Sequence, residues 1–209
     1  MQVSKRRATL AMTLLLAATA CGGGGDGEGA TPTAPEGPRS TTSSSTTTTT
    51  EPVDPSVVPD DLEDIDEEYV EAVANELYRV LRDANAIQVA RGDLQGMVDR
   101  YNAVYAPEAA DLLLNDALAR SEADLAKFKQ PPGSQRITVT SLKEVSEVCV
   151  VAESVRDSSE VLIEPLPPTE GFLVLTLREP GTRSPLNPTP WAIKAFSPTV
   201  EGEVACTSS

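Results

Sequence analysis

The chain has no histidine anywhere in its 209 residues. That removes the side chain best suited to proton transfer near neutral pH and the commonest neutral metal ligand. A Ser–His–Asp triad, a Cys–His pair and a His-ligated zinc site are all excluded. Proton transfer would have to fall to a carboxylate with a raised pKa. Glu153 is the one carboxylate closely flanked by apolar residues of a predicted strand. It reads either as such a base or as a solvent-facing residue opposite Arg178 or Lys194 across a sheet. The run Asp60-Asp61-Leu62-Glu63-Asp64-Ile65-Asp66-Glu67-Glu68 suggests calcium, but it lacks the Gly and terminal Glu of an EF-hand loop. It fits better as a solvated lead-in whose last carboxylates suit the first turn of a helix. The cysteines show no CxxC spacing. No metal ligand set and no cofactor motif stands out.

Charge narrows the partners. There are 17 Lys+Arg against 32 Asp+Glu, a formal charge of -15. Without Lys5, Arg6 and Arg7 the charge is -18, since residues 1–20 hold no acid. Such a surface repels nucleic acid and anionic lipid headgroups. Any hold on a membrane must then be covalent.

The first 20 residues read as an export signal. Lys5-Arg6-Arg7 is a basic start, and Thr9 to Ala18, with Leu14-Leu15-Leu16, is an apolar stretch. Its length falls short of the about 20 residues that span a bilayer. Ala18-Thr19-Ala20-Cys21 followed by Gly22 to Gly25 resembles the lipobox of bacterial lipoproteins, with Ala18 where a large aliphatic is usual. The resemblance implies that Cys21 receives the lipid and becomes the new N-terminus. The protein would then sit on the outer face of the cell membrane. Ala18-Thr19-Ala20 is also an ordinary A-x-A cleavage site at the same bond, which would leave Cys21 a free thiol. If Cys21 is lipidated, Cys149 and Cys206 form the remaining pair. A bridge between them would close a loop of just under 60 residues, worth about 4 kcal/mol in the chain-entropy model. The alternative is a buried thiol at Cys149 and a loose one at Cys206.

Residues 21–65 read as a linker. The Gly/Pro/Ser/Thr-rich part ends in Thr46 to Thr50 and cannot bury enough apolar surface to fold. From Cys21 to Asp64 the coil would span about 35–40 Å root-mean-square. Its Ser/Thr run is either an O-glycosylated stalk or a bare spacer. The acidic stretch from 51 to 71 holds ten acidic residues and no basic one.

A single domain is expected over residues 66–209. Tyr69, Val73, Leu77, Val80, Ala84 and Ile87 recur at helical steps and predict a helix over about 66–91. Asp64 with Glu67 resembles a capping box, and Gly92 is a natural stop. A second helix is expected over about 93–105, carrying Leu94, Met97, Val98 and Tyr101. Pro107 opens a third, running to Gln130-Pro131-Pro132-Gly133 and burying Ala110, Leu113, Leu114, Ala117, Leu118, Leu125 and Phe128. Then the period changes to two. Strands are predicted at Ile137–Ser141, Val145–Val155, Phe172–Leu177 and Trp191–Phe196, with a short edge piece at Val161–Glu164. Helices first and strands afterwards give an α+β fold: three N-terminal helices on an antiparallel sheet of about four strands.

That order, with a long first helix lying across a curved sheet, resembles the nuclear transport factor 2-like superfamily, the cystatin-like cone. In that family a short strand usually separates the early helices, and only Val104-Tyr105 could supply one here. The resemblance implies a pocket between the long helix and the concave sheet face, with Tyr69, Tyr101, Tyr105, Glu153, Arg178, Lys194 and Trp191 as candidate lining. The aromatics read either as that lining or as plain core. The whole chain also resembles the Thr-rich-linker lipoproteins of high-GC Gram-positive bacteria. The function expected is a non-catalytic binding or accessory protein of the cell envelope, its partner an envelope protein or a small apolar ligand. The alternatives are a spacer module without ligand and a carboxylate-dependent cone-fold hydrolase or isomerase.

Overall fold

The computed structural model describes residues 53–197 and residue 206. The export signal, Cys21 and the linker as far as residue 52 lie outside these described residues.

The apolar stripe predicted to be the first helix forms α1, Glu67–Ala90. Its cap is Asp66, not Asp64: the Asp66 carboxylate accepts the Tyr69 N–H at 2.8 Å. Asp64 instead ends a 3-10 turn, Leu62–Asp64, whose closure buries Ile65 to 2 % exposure. The acidic lead-in is packed as well as solvated, since Val53 and Val58 rest against the core. At the other end Arg91, with φ 52°, takes the left-handed conformation expected of Gly92. The Arg91 N–H donates to the Gln88 carbonyl and the Gly92 N–H to that of Ile87, satisfying two orphan carbonyls of the last turn.

Asp93 caps α2, Leu94–Val104, by accepting the Gly96 N–H at 2.9 Å. Pro107 opens α3, Pro107–Ala119. The sequence predicts one helix to residue 130, but it breaks at Arg120, whose ψ of 130° is extended. Ser121 then caps a separate short helix, α4, Glu122–Leu125. The break changes which leucines are covered. Ala110, Ala117, Leu125 and Phe128 are buried, whereas Leu113 and Leu118 are 36 % and 47 % exposed. The Gln88 amide of α1 donates to the Ala117 carbonyl and ties α1 to the end of α3.

Four strands follow: β1, Arg136–Ser146; β2, Cys149–Asp157; β3, Thr169–Leu177; and β4, Trp191–Ser197. They form one antiparallel sheet in sequential order. The apolar run predicted as a single strand over 145–155 is in fact a hairpin. The chain reverses at Glu147-Val148, and Ser146 clamps the turn by accepting the Cys149 N–H and donating to the Cys149 carbonyl. The predicted edge piece at 161–164 makes only an isolated bridge between Leu162 and Phe128. Tyr105 makes a similar one-residue parallel bridge to Ile193. Register shifts in β1 and between β3 and β4 mark bulges, which bend strands.

Both sheet faces carry buried residues. On one, Ile137, Val150, Leu173, Leu175, Trp191 and Ile193 join α1 and α2 in the main core. On the other, Cys149, Val151 and Val174 are buried beside Phe172, Ala195 and Cys206. Cys149 and Cys206 are bonded there, their Cα atoms 5.5 Å apart. Among the described residues no helix is long and apolar enough to cross a membrane.

Candidate functional site

On α1, Tyr78, Leu81, Arg82 and Asn85 follow one another at helical spacing and face a cavity of about 320 Å³. The end of α2 and its exit supply Tyr101 and Tyr105. The break after α3 presents Arg120, and Phe128 follows α4. The last turn of β2 contributes Arg156, and Val161 and Leu162 close the floor. Leu113 and Leu166, 36 % and 63 % exposed, mark the side toward solvent.

The electrostatics of this cavity run against those of the chain. Three arginines line it and no carboxylate does. Arg82 is paired with Asp83 at 2.8 Å and Arg120 with Asp116 at 3.1 Å. Both acids lie outside the lining. Arg156 pairs with no carboxylate among the described residues; its guanidinium stacks over the Phe196 ring, 4.3 Å from the centroid. Arg120 sits over Phe128 at 5.8 Å. The Tyr101 and Tyr105 rings lie 5.7 Å apart.

Burial pushes the phenols of Tyr78 and Tyr101 up, and that of Tyr105 well up. The Arg156 guanidinium beside Tyr78 offsets part of the effect there. At neutral pH all three are therefore hydroxyls able to donate. The Tyr101 and Tyr105 hydroxyls have no hydrogen-bond partner among the described residues. The lining holds no carboxylate, thiol or imidazole, and burial keeps its three phenols protonated. It can bind and orient.

Of the residues expected in a pocket, only Tyr101 and Tyr105 reach it. Tyr69 and Trp191 are core, 3 % and 0 % exposed, and the Trp191 indole donates to the Tyr69 hydroxyl at 2.8 Å. Arg178 caps α2: its Nη2 donates to the carbonyls of Asn102, Ala103 and Tyr105 at 2.8–2.9 Å. Lys194 is half-buried on β4. Glu153 points to the sheet face away from the helices, on a shallow groove of about 360 Å³ shared with Thr140, Glu170 and Phe172. Its partners are Ser141, which donates to it at 2.7 Å, and Lys143 at 3.0 Å, not Arg178 or Lys194. These two hold its carboxyl below the usual range, Ser141 contributing most. A general base needs the opposite shift, so Glu153 does not fit that role. Among the described residues no group of three or more acidic or Cys side chains gathers where a metal ion could sit.

Sequence reasoning missed Tyr78, Arg82, Asn85, Arg120, Phe128, Gln135 and Arg156. One signal was present: Tyr78, Arg82 and Asn85 interrupt the apolar stripe of α1 on a common edge. Arg120 and Arg156 carry no such signal, because a helix break and a strand register bring them in.

No protein family, no curated protein and no solved structure matches this chain.

Proposed function

We propose that the chain is an exported lipoprotein, held on the outer face of the cell membrane through Cys21, whose folded part binds a small ligand without catalysis. The observation that carries the binding half is the cavity of about 320 Å³, a volume at the lower end of small-molecule sites. It combines apolar side chains with convergent tyrosine and arginine groups, and convergent polar groups are what fix a ligand's orientation. The anchoring half rests on the basic start, the short apolar stretch and Ala20-Cys21-Gly22. A strongly acidic domain would not adsorb on anionic lipid unaided, which favours a covalent anchor. Long helix, α+β order and the Tyr105 bridge are the features that support a cone-type arrangement around the cavity.

The test uses the full chain expressed in an exporting bacterium. Cys21→Ser is expected to move the protein from the membrane fraction to the culture fluid; membrane retention of that variant overturns the anchor. For the cavity, the neutral apolar fluorophore N-phenyl-1-naphthylamine should brighten on binding. Leu113→Trp, which places a large ring at the mouth, should suppress the signal. Equal brightening by both proteins overturns the pocket.

A further inference from the structure

We infer that the cavity takes a small amphiphile with one negative charge: its anionic group sits at Arg156 between Tyr78 and Tyr105, and its apolar body lies against Leu81, Val161 and Leu113. The inference rests on the pocket reading above and adds the chemistry of the ligand.

The first argument is charge. The chain carries 32 acidic residues and 17 basic ones, yet every charged side chain lining this cavity is an arginine. A random draw from that surface would place acids there. Arg82 and Arg120 already have carboxylates at 2.8 and 3.1 Å. Arg156 alone lacks one among the described residues, so the lining holds a single uncompensated cation. One negative charge balances it; two would not be matched.

The second argument is geometry. Phe196 occupies one face of the Arg156 guanidinium. A stacked guanidinium keeps its N–H edge for hydrogen bonding, the arrangement that reads carboxylate and phosphate oxygens. Tyr105, Tyr101, Tyr78, Arg120 and Arg156 all line the one cavity, with the Tyr101 and Tyr105 rings 5.7 Å apart. The hydroxyl donors and the guanidinium therefore serve one small region. The guanidiniums can only donate and the phenols donate as well, so an anion meets several donors here, whereas a cation meets arginines and no counter-charge.

The third argument is the rest of the wall. Leu81, Phe128, Val161 and Leu162 supply apolar surface inside, and exposed Leu113 and Leu166 continue it toward solvent. A free inorganic anion would leave that surface unused. An amphiphile covers it.

A carboxylate and a sulfate ester head each carry one negative charge and share this chemistry, so both are titrated. The full-length protein is studied by calorimetry with decanoate, decyl sulfate, decanol and decyltrimethylammonium, each below micelle formation. At least one anion is expected to bind about tenfold or more tightly than decanol, and the cation more weakly still. Arg156→Met should weaken the anion about tenfold and decanol far less, while Arg156→Lys should recover part of the loss. Tyr105→Phe, which removes one hydroxyl, gives a second reading if Arg156→Met does not fold; about three- to tenfold weaker anion binding is expected. Decanol binding as tightly as both anions, or anion binding indifferent to Arg156→Met and to Tyr105→Phe, overturns the charge assignment and leaves the pocket standing. Failure of all four ligands to bind overturns the pocket itself, and the ligand assignment with it.

Discussion

The Trp191 indole N–H donates to the Tyr69 hydroxyl at 2.8 Å, and that hydroxyl donates onward to the Val57 carbonyl at 2.8 Å. A buried relay thus joins β4, α1 and the acidic lead-in. Trp191 is fully buried, so its N–H has no water to turn to. Tyr69→Phe strips it of its acceptor and frees the lead-in at Val57. The expected loss is about 1–3 kcal/mol. Trp191 is the only tryptophan, so its emission in a urea titration reports the change directly. An unchanged midpoint would mean that the relay contributes nothing.

Arg178 bears on the pocket from outside. Its Nη2 lies within 2.8–2.9 Å of three carbonyls at the C-terminus of α2, where a helix leaves acceptors unsatisfied and favours a cation. Arg178→Met should cost about 2–3 kcal/mol. The loosening should be local. Amide hydrogen exchange is expected to speed up first at Tyr101 to Tyr105, the stretch that carries two cavity phenols. Uniform acceleration across the domain would instead point to a global role.

The helices were easier to read than the site, and the reason is physical. Tyr69, Val73, Leu77 and Val80 repeat with the period of a helix that buries one side only, so α1 announced itself. The strands did not. Val148 to Ala152 is apolar at every position, because the helices cover one sheet face and Phe172, Ala195 and Cys206 flank the other. Period-two alternation is silent in such a segment. The turn at Glu147-Val148 was therefore invisible, and so was the face assignment it sets. That register puts Ser154 and Arg156 toward the helices and turns Glu153 away. The third helix failed for a different reason. Its apolar pattern continues through Leu125 and Phe128, whereas the break at Arg120 is set by the Ser121 cap and the fit of Gln88 against Ala117.

The Cys149–Cys206 bond fastens the end of the chain to the sheet across a separation of 57 residues. Replacing both cysteines by alanine should lower stability by about 4 kcal/mol at most on the chain-entropy account. Free thiols in the denatured, unreduced full-length protein test this bond and the proposed anchor together. With the bridge formed and Cys21 lipidated, none is expected. One free thiol retains the bridge and removes the lipid. Two on membrane-extracted protein remove the bridge and retain the lipid.

All four tyrosines, Tyr69, Tyr78, Tyr101 and Tyr105, are held above their ordinary value of 10.0, chiefly because burial disfavours the phenolate. The folded protein therefore keeps phenol protons that the unfolded chain releases as pH rises past 10. The phenols' contribution to stability is intact below pH 10 and falls above it. At pH 10 the folded protein should show little tyrosinate absorbance, where the denatured chain is about half ionised. The absorbance should then appear together with loss of the fold. Tyr105 is shifted furthest, so Tyr105→Phe should move the alkaline midpoint upward by removing the group with most to gain from unfolding. Four phenols titrating near pH 10 with the fold intact would show instead that water reaches them, and that the cavity wall is not the low-dielectric surface an anion-binding site requires.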